Sequence, residues 1–361
     1  MPTLSKQALQ QYLRDQFGPE AMLLSCEVIG KASSKGEQKR YGYGTPVKLT
    51  FRVGRRQQSA VLETMRPGPF GHEHMADRAQ AMLWDYDSYG RLPRHVKTLD
   101  VGVFDERQRL RSVADAREFF VVNEWAAGAS YHLDLDRLAK GKALRPLDRQ
   151  RTIALAGYLA RIHATKRKDA DLYKRRLREL LGHGECIMGL TDSYPKKYDF
   201  ITSDLLRTIE DACNQWRWRL HDKAGRLSQV HGDFHPYNVL FEKGTDFSVL
   251  DRSRGEWGEP ADDVTAMTIN YLLSSLIRWG KLRGPFEVLF RLFWDTYLEA
   301  SGDTGVTGAA APFFAFRGLV VASPVWYPKL SIDVRRRLFR FIENVLDVPR
   351  FDPNRVNEYC E

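Results

Sequence analysis

The residues best suited to chemistry lie in one stretch of the chain, between His231 and Asp251. The run His231-Gly-Asp-Phe-His-Pro-Tyr-Asn238 contains an acid and an amide, and a second acid, Asp251, follows thirteen positions after Asn238. Asp233 on a rigid loop can orient a hydroxyl group and accept its proton. Asn238 and Asp251 offer the hard oxygen atoms that Mg²⁺ prefers. This order of acid, amide and acid favours phosphoryl transfer from a metal–nucleotide complex.

Short apolar segments flank these polar residues on both sides. Residues 227–230, 239–241 and 247–250 have the composition and length of short strands. We expect these strands to hold the intervening polar side chains rigidly in place.

The same segment resembles the catalytic loop of the aminoglycoside phosphotransferase and choline kinase-like enzymes, which are relatives of the protein kinases. The resemblance implies that Asp233 is the catalytic base and that Asn238 and Asp251 bind the metal. Pro260-Ala-Asp-Asp-Val264 is similar to a later motif of the family, which implies that Asp263 braces the catalytic loop.

The motif also contains two histidines, His231 and His235. His231 precedes Gly-Asp and is expected to fix the loop by bonding to backbone, which is a structural role. His235 lies two positions after the base, where protein kinases carry a lysine near the transferred phosphate. It therefore either supports the phosphate or packs beside Pro236, and the sequence leaves both open.

The resemblance also implies a fold and a nucleotide site. The expected fold class is α+β: a two-lobed protein kinase-like fold with a small antiparallel-sheet N-terminal lobe and a larger, mainly helical C-terminal lobe. Residues 1–123 would form the nucleotide-binding lobe and residues 124–361 the catalytic and substrate-binding lobe. The hinge would span about residues 121–128, with Glu124, Trp125 and Ala126 pairing with the adenine edge through their backbone.

The periodicity of the chain predicts elements in this order. Strands are expected at residues 22–29, 47–53, 59–65, 96–104 and 119–123, and a helix at residues 72–84. A helix is expected from about Pro146 to His163, and another after Ser331 as its N-cap, with Pro349 beyond its end. Residues 31–40 and the following Tyr41-Gly-Tyr-Gly44 either close over phosphates or form a solvated hairpin tip.

One position departs from the family pattern. The third strand of the family carries a lysine for the α- and β-phosphates, and Glu63 stands at the matching position here. Because a carboxylate repels phosphate, either Arg66 or Lys48 reaches the phosphates instead, Glu63 helps to hold a cation, or ATP binds weakly. Glu73 is the helix acid best placed to pair with the substituting base.

Charge near the motif gives a limited indication of the acceptor. The basic run at residues 166–178 falls where the family inserts substrate-specific helices, and it favours a neutral or anionic hydroxyl compound over a polycationic antibiotic. Arg252 and Arg254, just after the second metal acid, either recognise an anionic group or form surface salt bridges.

Composition agrees with a folded enzyme. The chain has 361 residues, 43% of them hydrophobic, and a formal net charge of +9. Four scattered cysteines, no apolar leader and no long apolar run predict a cytoplasmic protein without disulfides or membrane spans. His72 and His74, two positions apart, lack the spacing of a zinc helix, so no metal site is expected there. Few aromatics interleave the basic residues, so nucleic-acid binding is not expected either.

The sequence therefore predicts an ATP- or GTP-dependent kinase that requires Mg²⁺ and acts on a small hydroxyl-bearing substrate. The alternative, motivated by Glu63, is a nucleotide-binding pseudokinase or sensor with little transfer activity. Phosphorylation of a protein side chain ranks last, because the sequence indicates no docking surface. The acceptor and the oligomeric state stay open.

Overall fold

The computed structural model describes residues 4–29, 44, 46–68, 70–91, 93–252 and 254–361. The polar loop at residues 31–40 and residues 41–43 lie outside these ranges, so their expected role over phosphates stays a prediction. The chain divides into two compact units, Met1–Asn123 and Glu124–Glu361. The functions expected of the two lobes stay predictions.

The N-terminal unit is built on a three-stranded antiparallel sheet. The strands follow one another in space as they do in sequence, in the order β1-β2-β3. Its elements are α1 (Lys6–Phe17), β1 (Met22–Val28), β2 (Val47–Val53), β3 (Arg56–Leu62), α2 (Met75–Tyr89), β4 (Gly102–Phe104) and β5 (Leu110–Ser112).

Alternation along β2 separates two faces of this sheet. Val47 and Leu49 are buried and pack with Leu9 of α1, because successive side chains of a strand point to opposite faces. Lys48 therefore lies on the other face, where its register partners are Glu27 on β1 and Val61 on β3. Lys48 is exposed.

Several predicted boundaries in this unit were wrong. The third strand ends at Leu62, before Glu63. The helix α2 begins at Met75, because the side chain of Asp77 accepts a hydrogen bond from the N–H of His74 and caps the helix there. Only Gly102–Phe104 of the strand expected at residues 96–104 forms. Residues 119–123 are not a strand, because apolar β-branched residues favour a strand only where a partner strand lies alongside.

The C-terminal unit is mainly helical. The helices of its described residues are α3 (His132–Ala139), α4 (Pro146–His163), α5 (Ala170–Gly182), α6 (Ile187–Ser193), α7 (Ser203–Leu220), α8 (Pro260–Trp279), α9 (Gly284–Ser301), α10 (Ala310–Ala322), α11 (Ile332–Asp347) and α12 (Val356–Tyr359). The predicted α4, with Pro146 at its start, and α11, with Ser331 as N-cap, are confirmed.

Short strands carry the candidate catalytic segment between these helices. They are β6 (Ala129–Ser130), β7 (Ser228–Gln229), β8 (Val239–Lys243), β9 (Asp246–Val249) and β10 (Trp257–Gly258). They form a β6-β8-β9 sheet and a β10-β7 pair, all antiparallel. The α+β fold class, with a small antiparallel-sheet N-terminal part and a larger helical C-terminal part, is confirmed.

One continuous hydrophobic core fills the helical unit. In it α4 packs on α9, and α10 packs on α8 and α11. All four cysteines are free thiols. None of the helices in the described part of the chain is long and apolar enough to cross a membrane.

Arg335 is an unusual member of this core, because a fully buried arginine commonly faces an acid. Arg335 has 0% exposure and donates to the carbonyls of Ala322, the last residue of α10, and of Tyr327, in the segment between α10 and α11. We expect Arg335→Ala to lower the free energy of unfolding by about 2–4 kcal/mol, since it leaves buried carbonyls unpaired and a cavity. Urea denaturation measures this change.

The neighbouring Arg336 provides the matched control. Its ion pair with Asp199 is about 40% exposed at both ends, so Arg336→Ala should cost about 0.5 kcal/mol or less. Equal losses for the two variants would contradict the role given to Arg335.

Candidate active site

Asp263 fixes the start of the candidate catalytic loop, residues 231–238. It lies in the first turn of α8, fully buried, and its two carboxylate oxygens accept the backbone N–H groups of His231 and Gly232, each at 2.7 Å. His163 Nε2 lies 3.1 Å from Asp263 Oδ2. Burial raises the pKa of Asp263, but the hydrogen bonds from His163 and from the loop backbone outweigh it, so the pKa lies below its ordinary value.

Gly232 is required by this geometry. Its φ is +87°, a conformation that L side chains rarely adopt, and an added Cβ would lie 3.3 Å from the Cβ of Arg254. The chain can therefore reverse here and present both N–H groups to Asp263 only with glycine.

His231 has the environment of a structural residue. It is buried, and its Nδ1 accepts the backbone N–H of Asp233 at 3.2 Å, which places the ring proton of the neutral form on Nε2. Burial lowers the pKa of His231, although the nearby Asp263 opposes this, and the net shift is downward. The ring therefore stays neutral and orients the next residue.

Asp233, the predicted base, is held through one carboxylate oxygen. Its Oδ1 accepts from Nη1 of Arg317 at 2.5 Å, and its Oδ2 lies 3.4 Å from Nε2 of His235. The side chain is 14% exposed. Burial raises the pKa of Asp233, but the hydrogen bond from His235 and the charges of Arg317 and Arg254 outweigh it, so the pKa falls below its ordinary value.

His235 faces Asp233. Its Nδ1 accepts the backbone N–H of Tyr237 at 3.2 Å, which leaves Nε2 as the ring nitrogen that donates in the neutral form. The sequence left two roles open for His235, phosphate contact or packing beside Pro236. The geometry adds a third, which is contact with Asp233, the predicted base.

Asn238 and Asp251, the predicted metal ligands, are joined by their backbones. The carbonyl of Asn238 accepts the N–H of Leu250 at 2.9 Å, so Asp251 is one residue from this bond. Asn238 Nδ2 donates to the carbonyl of Asp233 at 3.1 Å, which leaves Oδ1 as the atom available to a cation. Asp251 is exposed and has a φ of +56°, which turns the chain sharply after β9.

These two side chains fit a magnesium ion by donor type. Both offer oxygen, and Mg²⁺ commonly takes only one or two protein ligands and completes its shell with phosphate and water. Among the residues that the structure describes, no group of three His, Cys, Asp or Glu side chains could hold a metal alone. A cavity of about 260 Å³ borders His231 and Asp251.

The basic residues near the motif have structural partners. Arg252 donates to the carbonyls of Val230 and Glu256. The guanidinium of Arg254 lies 4.9 Å from the ring centre of Phe316 and 3.8 Å from Glu185. In the basic run, Arg175 and Arg176 both pair with Glu179, so the indication of an anionic acceptor weakens.

The residues predicted to contact the nucleotide lie in other segments of the chain than the candidate catalytic loop. Lys48 is on β2, and Arg66 and Glu63 follow β3, all in the N-terminal unit. Glu124, Trp125 and Ala126 open the C-terminal unit in a segment without regular secondary structure. Their roles at a nucleotide stay predictions.

Arg317 and Asp262 are neighbours of Asp233 that sequence reasoning missed. Arg317 Nη2 donates to Asp262 Oδ1 at 2.5 Å and to the carbonyl of Gly232 at 2.9 Å. A usable signal existed: Arg317 is the only charged residue between Asp303 and Lys329. A charge in an apolar helix must be paired when it is buried, so it marks a partner elsewhere.

The sequence profile of the phosphotransferase enzyme family matches residues 93–284, which is more than half of the chain. No curated protein sequence matches significantly.

Solved structures of kinases are similar to the chain at low identity. An amicoumacin kinase with AMP-PNP and Ca²⁺ is 14% identical, with a TM-score of 0.42 over 98% of this chain and 97% of that one. An aminoglycoside phosphotransferase with ADP and hygromycin B is 16% identical, with a TM-score of 0.37 over 94% and 98%. A choline kinase from Cryptosporidium parvum Iowa II is 10% identical, with a TM-score of 0.34 over 99% and 92%.

Proposed function

The chain belongs to the phosphotransferase enzyme family, and on that premise we propose that it is an ATP-dependent kinase for a small hydroxyl compound. The γ-phosphate of ATP would pass to a hydroxyl group that Asp233 orients. The observation that supports this most directly is the environment of Asp233, a carboxylate kept ionised and partly exposed on a loop that Asp263 fixes.

Each residue of the loop has a defined task in this proposal. Asp233 Oδ2 would accept the hydrogen bond of the acceptor hydroxyl and later its proton, with His235 Nε2 lying 3.4 Å from the same oxygen. Asn238 Oδ1 and the Asp251 carboxylate would hold Mg²⁺, which when bound screens the negative charge of the phosphates. Little covalent chemistry is required of the protein, so rigid positioning supplies much of the acceleration.

The proposal is tested first by nucleotide binding and then by transfer. Isothermal titration should detect ATP binding that strengthens with Mg²⁺, and GTP in the same experiment decides the nucleotide preference. Incubation with Mg-ATP and a library of hydroxyl compounds should then yield a phosphorylated product. No nucleotide binding under any of these conditions would overturn the proposal.

A second candidate function is nucleotide sensing without transfer. Glu63 motivates it, because it is exposed just past the end of β3 where the family resemblance implies a phosphate-binding lysine. In the first proposal, either Arg66 or Lys48, which lies on the sheet face that α1 does not cover, would reach the phosphates instead. Stabilisation by Mg-ATP without consumption of ATP in the presence of any acceptor would favour the sensor.

Asp251 gives a prediction about the metal. We expect Asp251→Asn to raise the Mg²⁺ concentration needed for half-maximal ATP binding about tenfold or more, because a neutral amide replaces a carboxylate ligand of a divalent cation. Asparagine tolerates the left-handed backbone at this position, so the turn should persist. Titrations of ATP at graded Mg²⁺ measure the shift.

Asp246 supplies the control for this substitution. It is an exposed acid at the first position of β9, and Asp246→Asn should leave the Mg²⁺ dependence unchanged. An unchanged dependence for Asp251→Asn would remove Asp251 from the metal site.

A further inference from the structure

We propose that Arg317 is a positioning residue of the transfer step: by holding Oδ1 of Asp233 it leaves Oδ2 aimed at the acceptor hydroxyl. The proposal rests on the function proposed above and adds a residue to it. Arg317 lies 84 positions after Asp233, on α10, and neither the motif nor the family resemblance points to it.

The contacts of Arg317 define both the side chain and the backbone of the loop. Nη1 donates to Asp233 Oδ1 at 2.5 Å, and Nη2 donates to the carbonyl of Gly232 at 2.9 Å. Arg317 itself is 5% exposed. A planar guanidinium that binds two groups of one loop fixes an angle as well as a distance, so the carboxylate of Asp233 has one preferred orientation.

Asp262 fixes Arg317 from the other side. Its Oδ1 accepts from both Nε at 3.1 Å and Nη2 at 2.5 Å. Because the same guanidinium also binds Asp233 and the carbonyl of Gly232, its position is set from both sides.

The helix that carries Arg317 has little freedom to move. A Cβ at Gly318, the next residue, would lie 2.7 Å from Cγ1 of Ile342 on α11. Such an approach is possible only with glycine, so α10 and α11 are in direct contact at this level. The core of the helical unit therefore fixes α10, and through Arg317 it fixes the carboxylate of Asp233.

Orientation of this kind affects rate rather than binding. The acceptor hydroxyl must approach one oxygen in line with the phosphorus atom, and a misplacement of about 1 Å can cost about 10²-fold in rate. A merely structural arginine would lower stability and leave the turnover of the folded enzyme unchanged. The two roles therefore differ in kcat.

The experiment replaces Arg317 together with Asp262, so that neither of these two buried charges is left without the other. In Arg317→Met/Asp262→Asn we expect kcat to fall about 10²-fold, with Kd for Mg-ATP unchanged, measured with the best acceptor from the hydroxyl library. Arg317→Lys in the Asp262→Asn background restores one donor and should recover at least about tenfold of this loss, since one of the two loop contacts returns.

The control is a second buried pair, Arg137 on α3 and Asp148 on α4, which lies more than 80 positions before Asp233. Their side chains are 18% and 4% exposed, and Arg137→Met/Asp148→Asn should lower stability but leave kcat unchanged. A wild-type kcat in Arg317→Met/Asp262→Asn would overturn the proposal, as would an equal loss in the control pair.

Failure of the function itself gives a different result. Wild-type protein that binds Mg-ATP but phosphorylates no acceptor overturns the proposed function. Crystals of Arg317→Met/Asp262→Asn then still decide the contact: an Asp233 side chain in two or more rotamers supports a positioning role, and one unchanged rotamer overturns it.

Discussion

Asp233→Asn is expected to abolish nearly all phosphoryl transfer while leaving the fold intact. The loss should be about 10³-fold in kcat, within the range that a positioned general base contributes. Asparagine keeps an oxygen that can accept from Arg317, so the contact at Oδ1 survives. The second oxygen becomes an amide group that donates, and it can no longer accept the proton of a hydroxyl. Steady-state kinetics with the best acceptor measure the effect.

Two further measurements separate chemistry from binding and folding. Isothermal titration should give the same Kd for Mg-ATP in Asp233→Asn as in the wild type, and thermal unfolding should change little. Asp204→Asn, at an acid whose side chain is 88% exposed in a surface pair with Arg207, should retain wild-type kcat. Transfer by Asp233→Asn at a near-native rate would show that another group orients the acceptor.

The lowered pKa of Asp233 bears on its role in the proposed phosphoryl transfer. Burial alone would raise the pKa, but His235 and the two arginines lower it further than burial raises it. The carboxylate is therefore ionised throughout the neutral range and is a weak base. In phosphoryl transfer the acceptor loses its proton late, if the transition state is loose. In the proposed reaction, orientation of the hydroxyl by Asp233 would thus contribute more than proton abstraction, and the role proposed for Arg317 follows from this.

Much of the candidate site could be predicted from sequence because its parts are close in the chain. Asp233, Asn238 and Asp251 lie within one segment of strand, loop, strand and turn, so local spacing carries their relation. The helices α4 and α11 were also predictable, since the apolar residues of each recur at helical spacing between clear start and stop signals.

The remaining parts depend on contacts between distant segments. Arg317 reaches Asp233 only because α10 packs on α8 and α11, and no local pattern records that packing. The direction of the His235 ring follows from a hydrogen bond to Tyr237 that spacing does not reveal. Residues 119–123 have strand-forming side chains but are not a strand, because strand formation depends on a neighbour as much as on propensity.

Asp263→Asn is expected both to destabilise the helical unit and to disorder the candidate catalytic loop. Wild-type Asp263 accepts two N–H groups, one on each oxygen, and a third hydrogen bond from His163. In the variant, the amide NH₂ must face one of these donors, so a buried donor loses its acceptor. We expect the free energy of unfolding at pH 7 to fall by about 3 kcal/mol or more, as when one partner of a buried charged network is removed. Urea denaturation measures the loss.

The pH dependence of this loss tests its cause. The folded-state pKa of Asp263 lies below its ordinary value, so its stabilisation is complete above the unfolded-state pKa of about 4 and is lost as the pH falls through the folded-state pKa. The gap in unfolding free energy between wild type and Asp263→Asn should therefore narrow below about pH 4. Asp211→Asn, at an exposed position on α7, should stay within about 0.5 kcal/mol of the wild type at every pH. A gap that stays constant on acidification would mean that Asp263 acts by shape alone, and the loop would then owe its order to packing rather than to a buried charge.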